Sequence, residues 1–263
     1  MGRTERMQYI EEIQAKRGSK VIVYFSGDRQ NLESQISPEI FPVFHKHLAS
    51  IGDQERIDLF LYSTGGMTVA GYGLVNLIRE FAEQFNVIVP FKALSCATLI
   101  SLGADEILML KTGQLSPIDP QTNHPLAPRA KRPGQNEEWP VPVSVEEVNS
   151  FLQLATVEIG LKKEDSKKRA LELLAGAVNP LVLGAVQRAR QETADYARRL
   201  LECHMKDGQK VENIVNKLTR QMFSHMQLMS RKEAKSLGLN ITDPDAEMTG
   251  LIQNLLHEYY DLL

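Results

Sequence analysis

The sequence predicts an α/β protein built around a mainly parallel sheet, followed by a helical C-terminal part. Between residues 20 and 110, short apolar segments rich in β-branched residues alternate with segments whose apolar residues recur at helical spacing. The strand segments are apolar almost without interruption, which is typical of strands buried on both faces. Regular alternation of strands and helices is the pattern that produces a parallel sheet with helices packed on it.

The predicted elements follow in chain order. A short polar helix over 5–17 precedes a buried strand, and Pro38 suits the first turn of the next helix. The predicted ranges are strands at 20–27, 56–63, 86–94 and 106–110, and helices over 38–50, about 68–83 and 96–104.

Residues 111–143 interrupt this alternation. The segment holds seven of the chain's twelve prolines and shows little periodicity, and irregular segments of this length are uncommon unless they are functional or disordered. From Ser144 onward the sequence predicts mostly helix, with Ser144 and Glu147 as a capping box. Asn179-Pro180 and Asp243-Pro244 mark the starts of two later helices.

The composition excludes several classes of protein. A hydrophobic content of 43% and a charged content of 24% are those of a soluble globular protein, and a net charge of −3 offers no basic surface for nucleic acid. Two distant cysteines do not make a disulfide framework, so a reducing compartment fits best. The N-terminus lacks an apolar signal segment, and the most apolar window is too short to span a bilayer. We therefore expect a cytoplasmic protein without a transmembrane segment.

A candidate site lies where two predicted strands end. Gly65-Gly66 close one strand, and Ser95 follows the next at the start of a buried helix. The C-terminal ends of parallel strands open on one edge of the sheet, where ligands usually bind. A serine hydroxyl beside free backbone N–H groups suits acyl transfer, because the tetrahedral intermediate carries an oxyanion. A simple strand-to-helix turn with a serine cap would give the same spacing without any chemistry.

The segment "LYSTGGMTVAGYGLVNLIREF", followed by "VPFKALSCATLISLGADEILML", resembles the core of the Clp-fold serine peptidases. With "SPIDPQ" added, the pattern is similar more specifically to the serine dehydrogenase proteinase family, and the resemblance extends over residues of about 20–242. It implies a ClpP/crotonase-like spiral of strand–helix units. The peptidase-like domain would cover 20–242, with 111–143 as a proline-rich loop on the active-site side, between an N-terminal helical extension (1–19) and a C-terminal helix (243–263).

The resemblance also implies roles for individual residues. Ser95 matches the nucleophile, and the backbone N–H groups of Gly66 and Cys96 match the oxyanion hole. Position 96 is Cys where the family more often has Ala. Where ClpP peptidases have their catalytic histidine, this chain has Asp119-Pro120, so no catalytic triad is recognised and Asp119 is expected to orient a loop.

The general base is left open by the sequence. Signal-peptide peptidase A, a Clp-fold relative, uses a Ser-Lys dyad, and Lys131 lies in a comparable loop before a helix; it would need burial to lower its pKa. His225 has a suitable unperturbed pKa, and His124 lies in the proline-rich loop. A solvated or packing role also fits each of these residues.

The sequence therefore predicts a serine-type hydrolase that cleaves peptide bonds through an acyl-enzyme on Ser95. Two alternatives share the fold: a crotonase-type enzyme acting on an acyl-CoA thioester, and a non-catalytic protein that serves assembly or peptide binding. The expected partners are a peptide or protein substrate and further copies of the chain, since members of the family usually form oligomers. No metal or organic cofactor is expected, and an ATPase or membrane-protein partner is left open.

Overall fold

The computed structural model describes residues 2–30, 32–118, 121–122, 124–131, 137–141, 143–155, 164–220 and 227–260. The helices are α1 (Arg3–Arg17), α2 (Ile40–Ile51), α3 (Thr68–Arg79), α4 (Cys96–Leu102), α5 (Val145–Gln153), α6 (Glu164–Ala177), α7 (Pro180–Glu202), α8 (Gly208–Arg220), α9 (Arg231–Leu237) and α10 (Ala246–Tyr260). The strands are β1 (Lys20–Phe25), β2 (Gln54–Tyr62), β3 (Ala82–Val89), β4 (Lys92–Ala93), β5 (Glu106–Met109), β6 (Gln114–Leu115), β7 (Gln121–Thr122), β8 (Arg129–Lys131), β9 (Glu138–Pro140), β10 (Val143–Ser144), β11 (Met229–Ser230) and β12 (Ile241–Thr242).

The main sheet has five strands in the order β1-β2-β3-β5-β12, and each neighbouring pair is parallel. Helices α2, α3 and α4 each follow one strand of the alternating region and lead to the next. The predicted α/β class with a mainly parallel sheet is confirmed. At one edge, β12 comes from the end of the helical part and pairs with β5, so the C-terminal half closes onto the sheet.

Both faces of the sheet are covered, as the apolar strands predict. Leu59 and Leu61 of β2 belong to a cluster with residues of α3, α4, α7 and α8. Phe60, between them, belongs to a second cluster with residues of α1 and α10. Successive side chains of a strand point to opposite faces, so the sheet forms the middle layer of three.

The strand predicted at 86–94 and the helix predicted over 68–83 have wrong boundaries. α3 ends at Arg79 because the chain turns at Phe81, whose carbonyl accepts a hydrogen bond from the backbone N–H of Gln54 (2.8 Å). β3 therefore starts at Ala82 and ends at Val89. Pro90 follows it and has no N–H to continue the ladder, so β4 is a separate strand that pairs with β6 in a second, three-stranded sheet.

The proline-rich segment contains more regular structure than its sequence indicated. Its described residues form the short strands β6 to β10, with β8 antiparallel to β9 and β7 antiparallel to β10. Such two- and three-residue strands are too short to be recognised from a local sequence pattern. β6 joins the segment to β4 and β11, whereas the other described strands pair with one another.

Of the two helix starts predicted by an Asx-Pro pair, one is confirmed. The Asn179 side chain accepts a hydrogen bond from the Leu181 N–H (2.9 Å) at the start of α7. The Asp243-Pro244 prediction is wrong by two residues, because Asp245 accepts the N–H of Met248 (2.7 Å) and α10 begins at Ala246.

Within the described ranges, none of the helices alone combines the length and apolarity needed to cross a bilayer. One pair, Lys168–Ala177 with Pro180–Glu202, meets those criteria jointly and is bent by 100°.

A buried carboxylate ties the N-terminal helix to the sheet. Asp58 of β2 is 0% exposed and accepts hydrogen bonds from the Arg17 guanidinium, the Ser19 hydroxyl (2.8 Å) and the Asn86 amide (2.8 Å). Arg17 also reaches Glu106 of β5 (3.1 Å between Nη2 and Oε2). The network therefore joins α1 to three neighbouring strands.

We expect Asp58→Ala to lower the free energy of unfolding by about 3–5 kcal/mol, because it leaves Arg17 buried without its main partner. Urea unfolding followed by circular dichroism measures this loss. Glu55→Ala, at an exposed position on the same strand, is the matched control and should change stability by about 0.5 kcal/mol or less. Equal stability of the two variants would contradict the role given to Asp58.

Candidate active site

A double glycine at the end of β2 lies directly against Ser95. β2 ends at Tyr62, and α3 starts at Thr68. Between them, Gly65 has φ +124° and Gly66 has φ +152°, conformations that side chains rarely adopt. A Cβ on Gly65 would lie 2.8 Å from the Ser95 Cβ and 3.2 Å from its Oγ. Only glycine lets the strand end approach the serine this closely.

Gly66 is fixed by a short parallel bridge to Ile36. The Ile36 N–H donates to the Gly65 carbonyl (2.9 Å), and the Met67 N–H donates to the Ile36 carbonyl (2.8 Å). In a parallel pairing of this kind, the N–H and C=O of the central residue point away from the partner strand. The Gly66 N–H is therefore turned away from Ile36 and is not used by the bridge.

Ser95 has a strained backbone. With φ 52° and ψ −114°, it is the one non-glycine residue with positive φ among the described residues. Such a conformation costs about 1–3 kcal/mol and is found preferentially at functional sites. In hydrolases of another fold, a strained strand-to-helix turn exposes the nucleophilic serine in the same way. Ser95 is half-buried and immediately precedes α4.

Cys96 is the first residue of α4, so its backbone N–H has no acceptor within the helix. Its thiol donates a hydrogen bond to the Met67 carbonyl (3.1 Å) and thereby links the start of α4 to the glycine turn. Burial raises the pKa of the Cys96 thiol to about 12. The thiol is therefore a packing and linking group, and the nucleophile candidate at this turn is the Ser95 hydroxyl.

Of the predicted bases, Lys131 and His124 are described, and neither forms a hydrogen bond to Ser95 within the described residues. Lys131 lies exposed in β8, opposite Glu138 of β9, so the described residues do not provide the burial that a lysine base requires. The His124 Nδ1 accepts the Leu126 N–H (3.1 Å). Asp119 and His225 lie outside the described residues.

Lys92 is a lysine that the sequence reasoning passed over, although it lies only three positions before Ser95. Its Nζ contacts Asp28 Oδ2 (2.6 Å), and the Tyr62 hydroxyl donates to the same carboxylate (2.8 Å). Burial opposes ionisation of Asp28, yet Lys92 and Tyr62 together keep its pKa below the usual range. Lys92 is thereby engaged in an ion pair with Asp28.

Three serines near the turn were also missed as site residues. Ser63 accepts hydrogen bonds from the Gly65 N–H (3.1 Å) and the Ser26 hydroxyl (2.7 Å). These two hydrogen bonds hold the glycine turn in place. Ser116 accepts the Ser95 N–H (2.7 Å). The signal available in the sequence was a polar residue directly after an apolar strand, in "YFSG", "FLYS" and "GQLS".

The fold and the site define a class: an α/β protein with a strained serine at a strand-to-helix turn, packed against a double glycine on the neighbouring strand. Residues 2–132 match the family described as ClpP-like SDH-type serine proteinase. The resemblance carried by the sequence motifs is thereby confirmed for the part of the chain that holds the glycine turn and Ser95. The match ends before the helical half, where the sequence resemblance is looser.

Two curated relatives are uncharacterized proteins of Methanocaldococcus jannaschii. The first is 30% identical over 130 residues, and the matched region covers 42% of that protein. The second is 24% identical over 249 residues, which is 90% of this chain and 73% of that protein. This chain thus spans less than half the length of the first relative.

Solved structures similar to this chain include a variant of the 1510-N membrane-bound stomatin-specific protease, with 13% identity and a TM-score of 0.49 over 88% of this chain and 81% of that one. ClpP1 from Listeria monocytogenes has 15% identity and a TM-score of 0.47, over 90% of this chain and 97% of that one.

The two cysteines should differ sharply in reactivity. Cys203 is exposed, whereas Cys96 is buried with a pKa raised to about 12, so at pH 8 Cys96 remains protonated and shielded. With iodoacetamide at pH 8, intact-mass spectrometry should show one rapid adduct on the native chain and two adducts in denaturant. In Cys203→Ser the rapid native adduct should disappear. Rapid native labelling of Cys96 would contradict the burial that links α4 to the glycine turn.

Proposed function

We propose that this chain is a serine peptidase that hydrolyses peptide bonds through an acyl-enzyme on Ser95. The observation that carries the proposal is the strained backbone of Ser95. It is held so close to Gly65 that a Cβ added at position 65 would collide with the Ser95 side chain. Strain of this kind persists only where the surroundings impose it. The family matched by residues 2–132 supplies the reaction class.

In the proposed reaction, the Ser95 Oγ attacks the carbonyl carbon of the scissile peptide, and its proton passes to a base. The carbonyl oxygen becomes an oxyanion that would accept hydrogen bonds from the Gly66 and Cys96 N–H groups. The amine then leaves with a proton, and water hydrolyses the ester on Ser95. Loss of one such backbone donor typically costs about 10²–10³-fold in rate.

Two features support these N–H groups as the oxyanion donors. The bridge to Ile36 leaves the Gly66 N–H unused, and the start of α4 leaves the Cys96 N–H without an intrahelical acceptor. The hydrogen bond from the Cys96 thiol to the Met67 carbonyl holds the start of α4 against the glycine turn. The site would thus be organised before substrate binds.

Lys131 is the base that we propose, and His225 is the alternative. Because Lys131 is exposed in the single chain, it would act only where a second copy or bound substrate covers it and lowers its pKa. This requirement links activity to the homo-oligomer that the family resemblance implies. Asp119 would then have the lesser role of orienting the loop.

A non-catalytic, peptide-binding role is favoured by one observation: within the described part of the chain, Ser95 Oγ makes no hydrogen bond to a titratable side chain. A crotonase-type enzyme would use the same two N–H groups on an acyl-CoA thioester and would not need the serine. Thioester turnover that persists in Ser95→Ala would favour that enzyme.

The direct test is labelling with a fluorophosphonate between pH 6 and 9, followed by intact-mass spectrometry. We expect one adduct on the wild-type chain and none on Ser95→Ala, because only an activated serine reacts with this probe. Thermal unfolding of Ser95→Ala controls for its fold, and heat-denatured wild type controls for non-specific labelling. A wild-type chain that stays unlabelled at every pH, or a folded Ser95→Ala that still takes the label, would overturn the proposal.

A further inference from the structure

A chain of buried hydroxyl groups holds the backbone of Ser95. The Ser95 N–H donates to the Ser116 Oγ (2.7 Å), and the Ser116 N–H donates to the Thr98 Oγ1 (3.0 Å). Ser116 is 2% exposed and Thr98 is 0% exposed. The hydroxyls thus connect Ser95, on the turn, to α4 and to the part of the proline-rich segment that directly follows β6.

The direction of each hydrogen bond in this chain is fixed. The Ser116 hydroxyl donates its proton to the Pro117 carbonyl (3.1 Å), and the Thr98 hydroxyl donates to the Ala93 carbonyl (2.7 Å). Each hydroxyl has one proton to donate and lone pairs to accept. Both oxygens therefore face their backbone N–H as acceptors and cannot rotate away without breaking a second bond.

The consequence for Ser95 is conformational. The hydrogen bond from its N–H to the Ser116 Oγ fixes the peptide plane before Ser95, α4 fixes the residues that follow, and the positive φ of Ser95 joins the two. A buried N–H without an acceptor is costly. The hydrogen bond to the Ser116 Oγ therefore stabilises the strained conformation that keeps the Ser95 side chain beside Gly65. It also occupies the Ser95 N–H, which leaves the Gly66 and Cys96 N–H groups to face a substrate.

We infer that Ser116 is a positioning residue for the nucleophile, and that Thr98 fixes Ser116 by accepting a hydrogen bond from its N–H. The inference rests on the proposed function of Ser95 and extends it to a residue that does not touch substrate. It also makes Pro117 a determinant of the nucleophile's geometry, since the Pro117 carbonyl orients the Ser116 hydroxyl.

The experiment compares four variants. Ser116→Ala removes the acceptor of the Ser95 N–H. Thr98→Val removes the second hydroxyl at nearly constant volume, and Thr98→Ser retains it. Ser101→Ala is the matched control, because Ser101 is a buried serine of α4 whose hydroxyl donates to the Ala97 carbonyl (2.9 Å), away from Ser95.

Two readouts are needed, and one of them does not depend on activity. Hydrogen exchange of the Ser95 amide, followed by NMR on chains labelled with ¹⁵N-serine, reports the hydrogen bond itself. Saturation kinetics of fluorophosphonate labelling separate the maximal labelling rate from the probe's apparent affinity. A residue that positions the nucleophile should change the maximal rate and leave the affinity within about twofold.

We expect Ser116→Ala to speed exchange of the Ser95 amide at least about tenfold and to lower the maximal labelling rate about 10- to 100-fold. Thr98→Val should shift both readouts in the same directions, while Thr98→Ser and Ser101→Ala should stay close to wild type. If Ser116→Ala fails to fold, the comparison of Thr98→Val with Thr98→Ser decides the question.

Wild-type exchange and labelling in Ser116→Ala would overturn the inference, as would an equal loss in Ser101→Ala, which would indicate general loosening of α4. A wild-type chain that takes no label contradicts the proposed function. In that case the exchange experiment still decides whether Ser116 holds the Ser95 amide, because unchanged exchange would refute it and faster exchange would support it.

Discussion

The site depends on one close contact, between the main chain of Gly65 and the side chain of Ser95. No side chain fits between them, because a Cβ at position 65 would lie 2.8 Å from the Ser95 Cβ. The contact fixes how near the end of β2 comes to the start of α4. Both backbone donors proposed for the oxyanion, at Gly66 and Cys96, are neighbours of this contact in the chain. Their geometry is therefore set by the fold before any substrate arrives.

The rest of the molecule holds that contact in place from several sides. The parallel sheet brings the strand ends to one edge, and helices bury the sheet on both of its faces. Ser63 anchors the glycine turn, Ser116 anchors the serine, and the Cys96 thiol joins the two. Midway along β2, Asp58 joins the sheet to α1. Strain at Ser95 persists because these groups leave it no relaxed alternative.

Local patterns in the sequence were sufficient to predict the strand–helix alternation and to place Gly65-Gly66 and Ser95 together at the ends of neighbouring strands. Each of these depends on neighbouring residues and on the rule that parallel strands end at one edge. Ser116 could not be assigned in the same way, because it contacts Ser95 from 21 positions away. Lys131 is exposed, and whether it becomes buried depends on what covers β8, which no local pattern specifies. The apolar run over 86–94 predicts a single strand, although Pro90 within it has no N–H and interrupts the ladder.

The most direct test of the central claim is a crystal structure of the chain after reaction with a fluorophosphonate. The account predicts a phosphonyl group on the Ser95 Oγ, with one phosphonyl oxygen about 2.7–3.1 Å from the backbone nitrogens of both Gly66 and Cys96. Residue 95 should keep its positive φ. A phosphonyl oxygen that points to solvent, or an adduct on another serine, would contradict the proposed oxyanion site.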